Sequence, residues 1–168
     1  GTDRIYDAIK RLGKSNVELV MNLQGDEPLI DVGDIRNLHR QMIRTKVQFG
    51  TLASNIEDKK FYEKQSIVKV TTKQTLNNSS FPEALNFLRK LKDPPKNTYH
   101  HLGIYCYQFE TLKKFISLKQ SQNEIKNKLE QLRALDNKIK INVSLAKKSS
   151  MGIDTEEEFV AIKKIMEY

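Results

Sequence analysis

The sequence predicts an α/β layer fold, with a mixed or mostly parallel sheet flanked by helices. Its 168 residues match the size of one domain. Hydrophobic residues make up 38% of the chain and can form a core, while only 7 Gly and 4 Pro interrupt it. Segments of strand periodicity alternate along the chain with segments of helix periodicity, which is typical of this architecture. We therefore expect a single α/β domain over residues 1–168.

Four segments carry apolar residues at helical spacing. Their apolar positions are Ile5, Ala8, Ile9 and Leu12; Ile35, Leu38 and Met42; Ile125, Leu129, Leu132 and Leu135; and Phe159, Ile162 and Ile165. We expect the third helix to start near Asn123. The fourth is expected to start at Thr155, whose hydroxyl would cap the amide of Glu158 while the Glu158 carboxylate returns the bond.

Strand-like apolar runs lie between the helices. They are Val17–Leu23, Phe49–Ala53, Ile67–Thr72, Gly103–Tyr107 and Ile139–Leu145. The segment from Lys90 to Asn97 combines two prolines with four charges and predicts a surface loop. In folds of this kind, ligands bind at loops beyond the carboxyl ends of strands, so candidate site residues are sought there.

Charge and cysteine content limit the classes of function. The net charge of +8 attracts polyanions, but the lysines are scattered and Trp is absent, so we expect a solvated surface and no nucleic-acid partner. The single Cys106 excludes an internal disulfide and a cysteine-based metal cluster, and it permits a cytoplasmic location. No apolar run approaches the roughly 18 residues that a membrane span needs, so no membrane partner is expected.

Two aspartates follow predicted strands. Asp26 lies in the loop Asn22-Leu23-Gln24-Gly25-Asp26-Glu27-Pro28, and Asp154 lies in Gly152-Ile153-Asp154-Thr155. Because Thr155 can cap the last helix, Asp154 is free for another role. Two carboxylates on such loops suit a Mg²⁺ ion that bridges the phosphates of a nucleotide. The alternatives are an ordinary strand-to-helix turn at Asp26 and a favourable helix-end charge at Asp154.

Two further candidates are polar residues next to apolar ones. Strand alternation places His101 and Tyr105 on the same face of their strand. The three histidines lack metal-ligand spacing, which excludes a zinc site. Glu130 and Gln131 flank the apolar face of a predicted helix, where the alternative is a solvated polar edge.

Five motifs, in this order along the chain, resemble the 3-deoxy-manno-octulosonate (Kdo) cytidylyltransferases. They are Gly1-Thr2-Asp3-Arg4, Asn22-Leu23-Gln24-Gly25-Asp26-Glu27-Pro28, His101-Leu102-Gly103-Ile104-Tyr105, Leu129-Glu130-Gln131-Leu132-Arg133 and Gly152-Ile153-Asp154-Thr155. The resemblance implies a nucleotide-diphospho-sugar-transferase-like fold. It also implies transfer of CMP from CTP to the anomeric hydroxyl of Kdo, with pyrophosphate released and Mg²⁺ required, for lipopolysaccharide synthesis.

The same resemblance implies roles for individual residues. It gives Asp26 and Asp154 the catalytic role of metal ligands. It assigns Kdo binding to Gln24, His101, Tyr105, Glu130 and Gln131, and places the nucleotide near Gly1, Thr2 and Arg4. A motif of the family is matched by Ala84-Leu85-Asn86-Phe87-Leu88-Arg89, which makes Arg89 a candidate for sugar or phosphate binding.

The chain departs from the family pattern in two places. The family begins with a strand and a basic loop that cradles the triphosphate, and this sequence starts after that region. We therefore expect an N-terminally incomplete domain that does not turn over alone. The segment before His101 is short where the family builds dimer contacts, so a homodimer is expected to be weak. Two alternatives stay open: a cytidylyltransferase for another acidic sugar, such as an acylneuraminate, and a basic nucleic-acid-binding module.

Overall fold

A computed structural model describes residues 1–13, 16–25, 28–147 and 156–166 of the protein. Within this part of the chain, six strands form one mixed sheet: β1 (Leu19–Asn22), β2 (Phe49–Ser54), β3 (Lys69–Thr72), β4 (Ala84–Leu88), β5 (Thr98–Gln108) and β6 (Asn142–Leu145). The helices are α1 (Thr2–Arg11), α2 (Val32–Thr45), α3 (Phe109–Ser117), α4 (Gln122–Asn127), α5 (Leu132–Asp136) and α6 (Glu156–Met166), with a 3₁₀ turn at Lys59–Tyr62. None of the described helices is long and apolar enough to cross a membrane.

The long strand β5 organises the sheet. The strand order is β4-β3-β5-β2-β6, and β1 also pairs with β5. The prediction of a mixed sheet is confirmed, but the mostly parallel alternative is wrong. β5 runs antiparallel to β1, β2 and β3, and only β2 and β6 are parallel. It follows that β1, β2 and β6 all point in the same direction.

One edge of β5 is shared by two strands that leave a gap between them. β1 ends with Asn22 opposite Tyr105, and β3 starts with Lys69 opposite His100. The intervening stretch 102–104 therefore has no strand beside it on this edge. Strand gaps of this kind give side chains from loops access to the face of a sheet.

The two faces of the sheet are covered by different helices. On the first face, odd-numbered β5 residues such as Tyr105 and Tyr107 pack with α1, α3 and α5. Phe49 stacks at the centre of this cluster, with its ring centroid 4.3 Å from that of Tyr107. On the second face, even-numbered β5 residues such as Ile104 and Cys106 pack against α2. The period-2 alternation of β5 thus separates two cores.

The predicted strands are confirmed, with different ends, and the loop Lys90–Asn97 is confirmed as well. The sequence pattern missed β4 and α3. β4 was missed because its Leu85 and Asn86 are both exposed, which breaks the apolar alternation.

The predicted helix through Ile125 and Leu135 is wrong, because the chain forms two short helices there. Lys128 ends α4 in the left-handed conformation, with φ of 53°. Ile125 consequently lies 60% exposed, while Leu129 and Leu132 are buried. A left-handed cap stops the helical ladder and turns the chain before Glu130.

Two other predicted stripes are only partly buried. In α1, Ile5 and Ile9 pack against the first-face core, whereas Ala8 and Leu12 are exposed. Tyr6 also packs against this core and stacks on Phe109, with their ring centroids 6.1 Å apart. In α6, Ile162 is buried but Phe159 is 49% exposed, which corrects its assignment to the core. Thr155 and the side chains of Glu158 and Ile165 lie outside the described residues.

Candidate functional site

His101 and Tyr105 lie together on the first face, as predicted from strand alternation. Their ring centroids are 5.5 Å apart, and the His101 ring also meets Phe87 edge to face at 4.9 Å. Both side chains are more than nine-tenths buried. The aromatic packing fixes both rings, so that each presents its polar atoms in a defined direction.

A hydrogen bond from the neighbouring strand sets the tautomer of His101. The Thr51 hydroxyl donates its one proton to the Ile104 carbonyl at 2.7 Å. Its oxygen also lies 2.9 Å from Nε2 of His101. Because the hydroxyl proton is already used, Nε2 must carry the hydrogen and donate it to Thr51. Nδ1 then holds a lone pair, and it has no partner among the described residues.

Burial keeps both rings uncharged. Desolvation, helped by the neighbouring His100, lowers the pKa of His101 to about 3, so the imidazole is neutral at physiological pH. Desolvation and the negative charge of Glu130 raise the pKa of Tyr105, so its hydroxyl keeps its proton. The pair therefore offers one acceptor, Nδ1, and one donor, the phenol.

Gln24 reaches the face of β5 through the gap between β1 and β3. A Cβ placed on Gly103 would lie 3.4 Å from Nε2 of Gln24. The amide of Gln24 therefore lies directly over the strand, between the positions of His101 and Tyr105, and it is exposed. The structure thus brings together three of the five side chains that the resemblance assigns to Kdo.

Glu130 contacts the start of α1. Its carboxylate accepts the Thr2 hydroxyl at 2.8 Å and the Thr2 amide at 3.4 Å. A Cβ on Gly1 would lie only 2.8 Å from one of the same oxygens, so a larger residue there would displace the Glu130 carboxylate. The carboxylate thereby accepts one amide, that of Thr2, which the first helical turn leaves free. Gly1 and Thr2, which are predicted to bind the nucleotide, are therefore in direct contact with Glu130, which is predicted to bind the sugar.

The contact extends into the first-face core. Thr2 is 1% exposed and lies beside Tyr107 of that core. Burial raises the pKa of Tyr107 well above its ordinary value, which keeps it a donor. Arg4, the third predicted nucleotide residue, is exposed on the same helix.

Gln131 is buried at the start of α5, next to a buried ion pair. Arg133 binds the Glu124 carboxylate through two nitrogens, at 2.8 and 2.5 Å, and its guanidinium lies 5.0 Å from the ring of Phe115. The bidentate bond raises the pKa of Arg133 and lowers the pKa of Glu124. This pair holds the segment that carries Glu130 and Gln131.

Arg89 is bound to main-chain carbonyls. Its guanidinium donates to the carbonyls of Gln65, Asn127 and Lys128, each at 3.1 Å. Its own carbonyl accepts the ammonium of buried Lys69 at 2.7 Å. In this structure Arg89 therefore holds the turn that ends α4, two residues before Glu130. A role in sugar or phosphate binding stays a prediction.

Asp26 and Asp154, the predicted metal ligands, lie outside the described residues. The strands before them are informative, because β1 and β6 point in the same direction. The carboxyl ends of β1 and β6 therefore lie at the same end of the sheet. Carboxylate oxygens are the ligands that Mg²⁺ prefers. Among residues 1–13, 16–25, 28–147 and 156–166, no cluster of three metal-ligating side chains occurs.

Sequence reasoning missed three residues of this site: Thr51, Tyr107 and Lys69. Thr51 gives a recognisable signal, because it is a hydroxyl on the inward face of the otherwise apolar run Phe49–Ala53. Tyr107 continues the alternation of His101 and Tyr105 and could have been included with them. Lys69 gives no such signal, since main-chain carbonyls receive its ammonium and a carbonyl belongs to every residue type.

The sequence of the chain is similar to those of known cytidylyltransferases. The profile of the cytidylyltransferase family matches residues 1–141. A 3-deoxy-manno-octulosonate cytidylyltransferase of Bartonella tribocorum is 35% identical over 170 residues, covering 99% of this chain and 68% of the relative. The enzyme of the same name from Thermodesulfovibrio yellowstonii is 39% identical over 176 residues, covering 99% of this chain and 69% of the relative.

Solved structures agree with the sequence relatives. The structure of CMP:2-keto-3-deoxy-manno-octonic acid synthetase complexed with CTP superposes with a TM-score of 0.82 at 28% identity, covering 98% of this chain and 67% of that one. A UDP-glucose pyrophosphorylase shares the fold, with a TM-score of 0.64 at 12% identity, covering 88% of this chain and 54% of that one. The predicted nucleotide-diphospho-sugar-transferase-like architecture is confirmed.

Proposed function

Because the chain belongs to the 3-deoxy-manno-octulosonate cytidylyltransferase family, we propose that it transfers CMP from CTP to the anomeric hydroxyl of Kdo. In this reaction the anomeric oxygen forms a bond to the α-phosphorus. The bond from that phosphorus to the oxygen of the β-phosphate breaks, pyrophosphate leaves, and the hydroxyl proton is released. The reaction depends on positioning two substrates, so the site residues must bind and orient them.

The observation that carries the proposal is the first-face cluster around Gly103. The neutral imidazole of His101 offers Nδ1 as an acceptor, and the protonated phenol of Tyr105 offers a donor. The exposed amide of Gln24 offers both. A sugar acid presents hydroxyl groups and a carboxylate, which need this mixture of acceptors and donors. Edge-to-face and tilted aromatic contacts hold the two rings in place, which reduces the entropy lost on binding.

Glu130 is proposed to connect the two substrates. Its carboxylate anchors Gly1 and Thr2 at the start of α1, where the resemblance places the nucleotide. About one third of the Glu130 side chain is exposed, which leaves it reachable by a sugar hydroxyl. A carboxylate that contacts both this segment and a sugar hydroxyl would fix the position of the sugar relative to the nucleotide.

Asp26 and Asp154 are proposed to hold a Mg²⁺ ion. When bound, the ion would neutralise charge on the triphosphate. The common direction of β1 and β6 supports this assignment, since the carboxyl ends of the two strands lie at the same end of the sheet. We propose a cytoplasmic location and a role in lipopolysaccharide synthesis, in keeping with the family resemblance.

A second candidate substrate is the 8-amino analogue of the sugar. An 8-amino-3,8-dideoxy-manno-octulosonate cytidylyltransferase of Shewanella sediminis is 38% identical over 161 residues, covering 94% of this chain and 65% of the relative. That identity lies within the range of the Kdo relatives. Assays with both sugars, in parallel, decide between them.

The test is pyrophosphate release from CTP in the presence of Kdo and Mg²⁺. The 168-residue chain is assayed beside a chain extended at Gly1 with the N-terminal segment of a family member. We expect turnover from the extended chain that Asp26→Asn or Asp154→Asn lowers by about two to four orders of magnitude. Absence of turnover with either sugar would contradict the proposed reaction.

A stability control separates metal binding from folding. Thermal melts of both Asn variants should match the wild type, because each substitution keeps the size of the side chain. Thr155→Ala should lower the melting temperature, through loss of the helix cap that the sequence predicts, while the proposed metal ligands remain. Turnover of Asp154→Asn near the wild-type level at every Mg²⁺ concentration would reduce Asp154 to a helix-end charge.

A further inference from the structure

A polar groove of about 560 Å³ lies on the second face of the sheet, and the reaction proposed above does not use it. One wall is α2, the other is the loop at Asn78 and Ser79, and the end of β6 closes it at Leu145 and Lys147. Its volume falls within the range of small-molecule sites. We call it the α2 groove.

The α2 groove carries three cationic side chains, of which two lack a carboxylate partner. Arg40 makes no ion pair or hydrogen bond with any residue that the structure describes. Arg44 uses Nη2 on the Ser79 carbonyl and the Gln41 amide, which leaves Nε and Nη1 open. Lys147 lies 3.9 Å from the Asp31 carboxylate and is partly neutralised. The excess positive charge is therefore at the Arg40 and Arg44 end.

The opposite end of the α2 groove is suited to hydroxyl groups. Asp34 is buried, and one of its oxygens accepts the Lys147 amide at 3.0 Å. Asn37 donates its amide hydrogen to the Ser144 hydroxyl at 3.1 Å and keeps its carbonyl oxygen as an acceptor. The start of α2 is already capped by Asp31, which accepts the amides of Gly33 and Asp34. An anion would therefore bind the arginines rather than the helix terminus.

The length of the α2 groove and the residues that line it limit the class of ligand further. Asp34 and Arg40 are six residues apart on one helix, about 9 Å along its axis, close to the length of a phosphorylated pentose. No aromatic side chain lines the groove among the described residues, so a nucleobase would find nothing to stack on. Both features favour a short polyhydroxylated anion over a nucleotide.

The α2 groove is independent of the first-face cluster. α2 packs on Leu102, Ile104 and Cys106, whereas His101 and Tyr105 point to the other side of β5. A ligand in the groove would therefore not compete for the side chains that are proposed to bind Kdo.

From this geometry we propose that the α2 groove is a second binding site, specific for a sugar phosphate. The phosphoryl group is held by Arg40 and Arg44, and the hydroxyl groups are held by Asn37 and Asp34. Arg40 provides the planar donor pair that a phosphoryl group accepts, and Arg44 adds its positive charge and the single donors of Nε and Nη1.

The test is NMR titration of the ¹⁵N-labelled protein with ribose 5-phosphate, inorganic phosphate and ribose, at constant ionic strength. We expect saturable shifts of the Asp34, Arg40 and Leu145 amides with ribose 5-phosphate, and none at Gly103. Inorganic phosphate should bind more weakly by about threefold or more, and ribose should not saturate.

Arg40→Gln should weaken ribose 5-phosphate binding about tenfold. The matched control is Arg36→Gln, because Arg36 is exposed on the same helix, carries the same charge and does not line the groove. Its effect should stay within about twofold. Equal weakening by both variants would overturn the proposal, because it would show attraction to net charge alone. Equal affinity for phosphate and ribose 5-phosphate would overturn the sugar specificity, and so would saturation by ribose.

Discussion

Two pairs of cationic side chains in this protein have opposite surroundings. The ammonium of Lys69 donates to three carbonyls, those of Lys64, Ile67 and Arg89, each at 2.7 Å, and the guanidinium of Arg89 donates to three more. Arg40 has no such partner in the described part of the chain, and Arg44 uses one nitrogen of its three. The first pair closes loops around the core, and the second pair is open to a ligand.

The comparison shows that the availability of a cation depends on which acceptors surround it. Arg89 lies in a motif that resembles a family motif and would be chosen from sequence as the ligand-binding arginine. Arg40 belongs to no motif. Carbonyl oxygens that converge on a cation remove its donors from ligand chemistry and convert them into cross-links between distant segments. Three experiments test this difference, and a fourth tests the burial of the two histidines of β5.

Lys69→Met should produce the largest effect. Lys69 is only 1% exposed, so water cannot replace the ammonium as a donor to the three carbonyls. The free energy of unfolding should therefore fall by about 3 kcal/mol or more. Urea denaturation measures the loss. The control is Lys92→Met, in the exposed loop before β5, which should stay within about 0.5 kcal/mol of the wild type. Equal stability of the two variants would show that the Lys69 ammonium is dispensable.

Arg89→Gln should lower the free energy of unfolding by about 2 kcal/mol, because the carbonyls of Asn127 and Lys128 lose their charged donor. The same change should weaken Kdo binding, since that turn precedes Glu130. Denaturation and Kdo titration are measured on one sample. Unchanged stability with lost Kdo affinity would instead support direct sugar binding by Arg89, as the resemblance implies.

Acid should destabilise the folded protein through the two histidines of β5. Burial lowers the pKa of His101 to about 3, and burial with the charge of Lys69 lowers the pKa of His100 to about 4. The unfolded chain takes up these protons near pH 6.5, so the free energy of unfolding falls as the pH drops from about 6.5 toward 4. Each histidine contributes a slope of about 1.4 kcal/mol per pH unit.

The measurement for this third test is urea denaturation at pH 7, 6 and 5. His101→Asn should reduce the slope, whereas His39→Asn, on the exposed side of α2, should leave it unchanged. A pH-independent free energy of unfolding in the wild type would show that neither imidazole is kept neutral by the fold.

Arg40→Gln should have the smallest effect on stability, within about 0.5 kcal/mol, because the side chain has no partner to lose. Its stability is measured with the same urea protocol as Arg89→Gln. A loss as large as that of Arg89→Gln would remove the distinction between the two cation pairs.

Much of the site could be predicted from the sequence, because strand alternation is a local property. His101 and Tyr105 share a face for that reason, and Gln24 follows a strand that pairs with theirs. The contact of Glu130 with Gly1 could not be predicted by periodicity, since 129 positions separate the two residues. The close approach of the two residues appears only in the folded chain.

The break between α4 and α5 shows why other features could not be predicted. The apolar spacing through Ile125 and Leu129 favours one helix, and nothing local forces Lys128 into a left-handed conformation. The guanidinium of Arg89, 39 positions away, donates a hydrogen bond to the Lys128 carbonyl in this turn. A tertiary contact therefore overrides the local helical preference. The same applies to Lys69, whose acceptors are assembled only in the folded chain.

The most direct test of the central claim, that the sugar binds at the first-face cluster, is a titration of the ¹⁵N-labelled protein with Kdo. The account predicts saturable shifts of the Gly103 and Tyr105 amides and of the Gln24 side-chain amide, weakened about tenfold in Tyr105→Phe. The Arg40 amide in the α2 groove should not shift. Saturable shifts confined to the α2 groove, with Gly103 and Tyr105 unchanged, would contradict it.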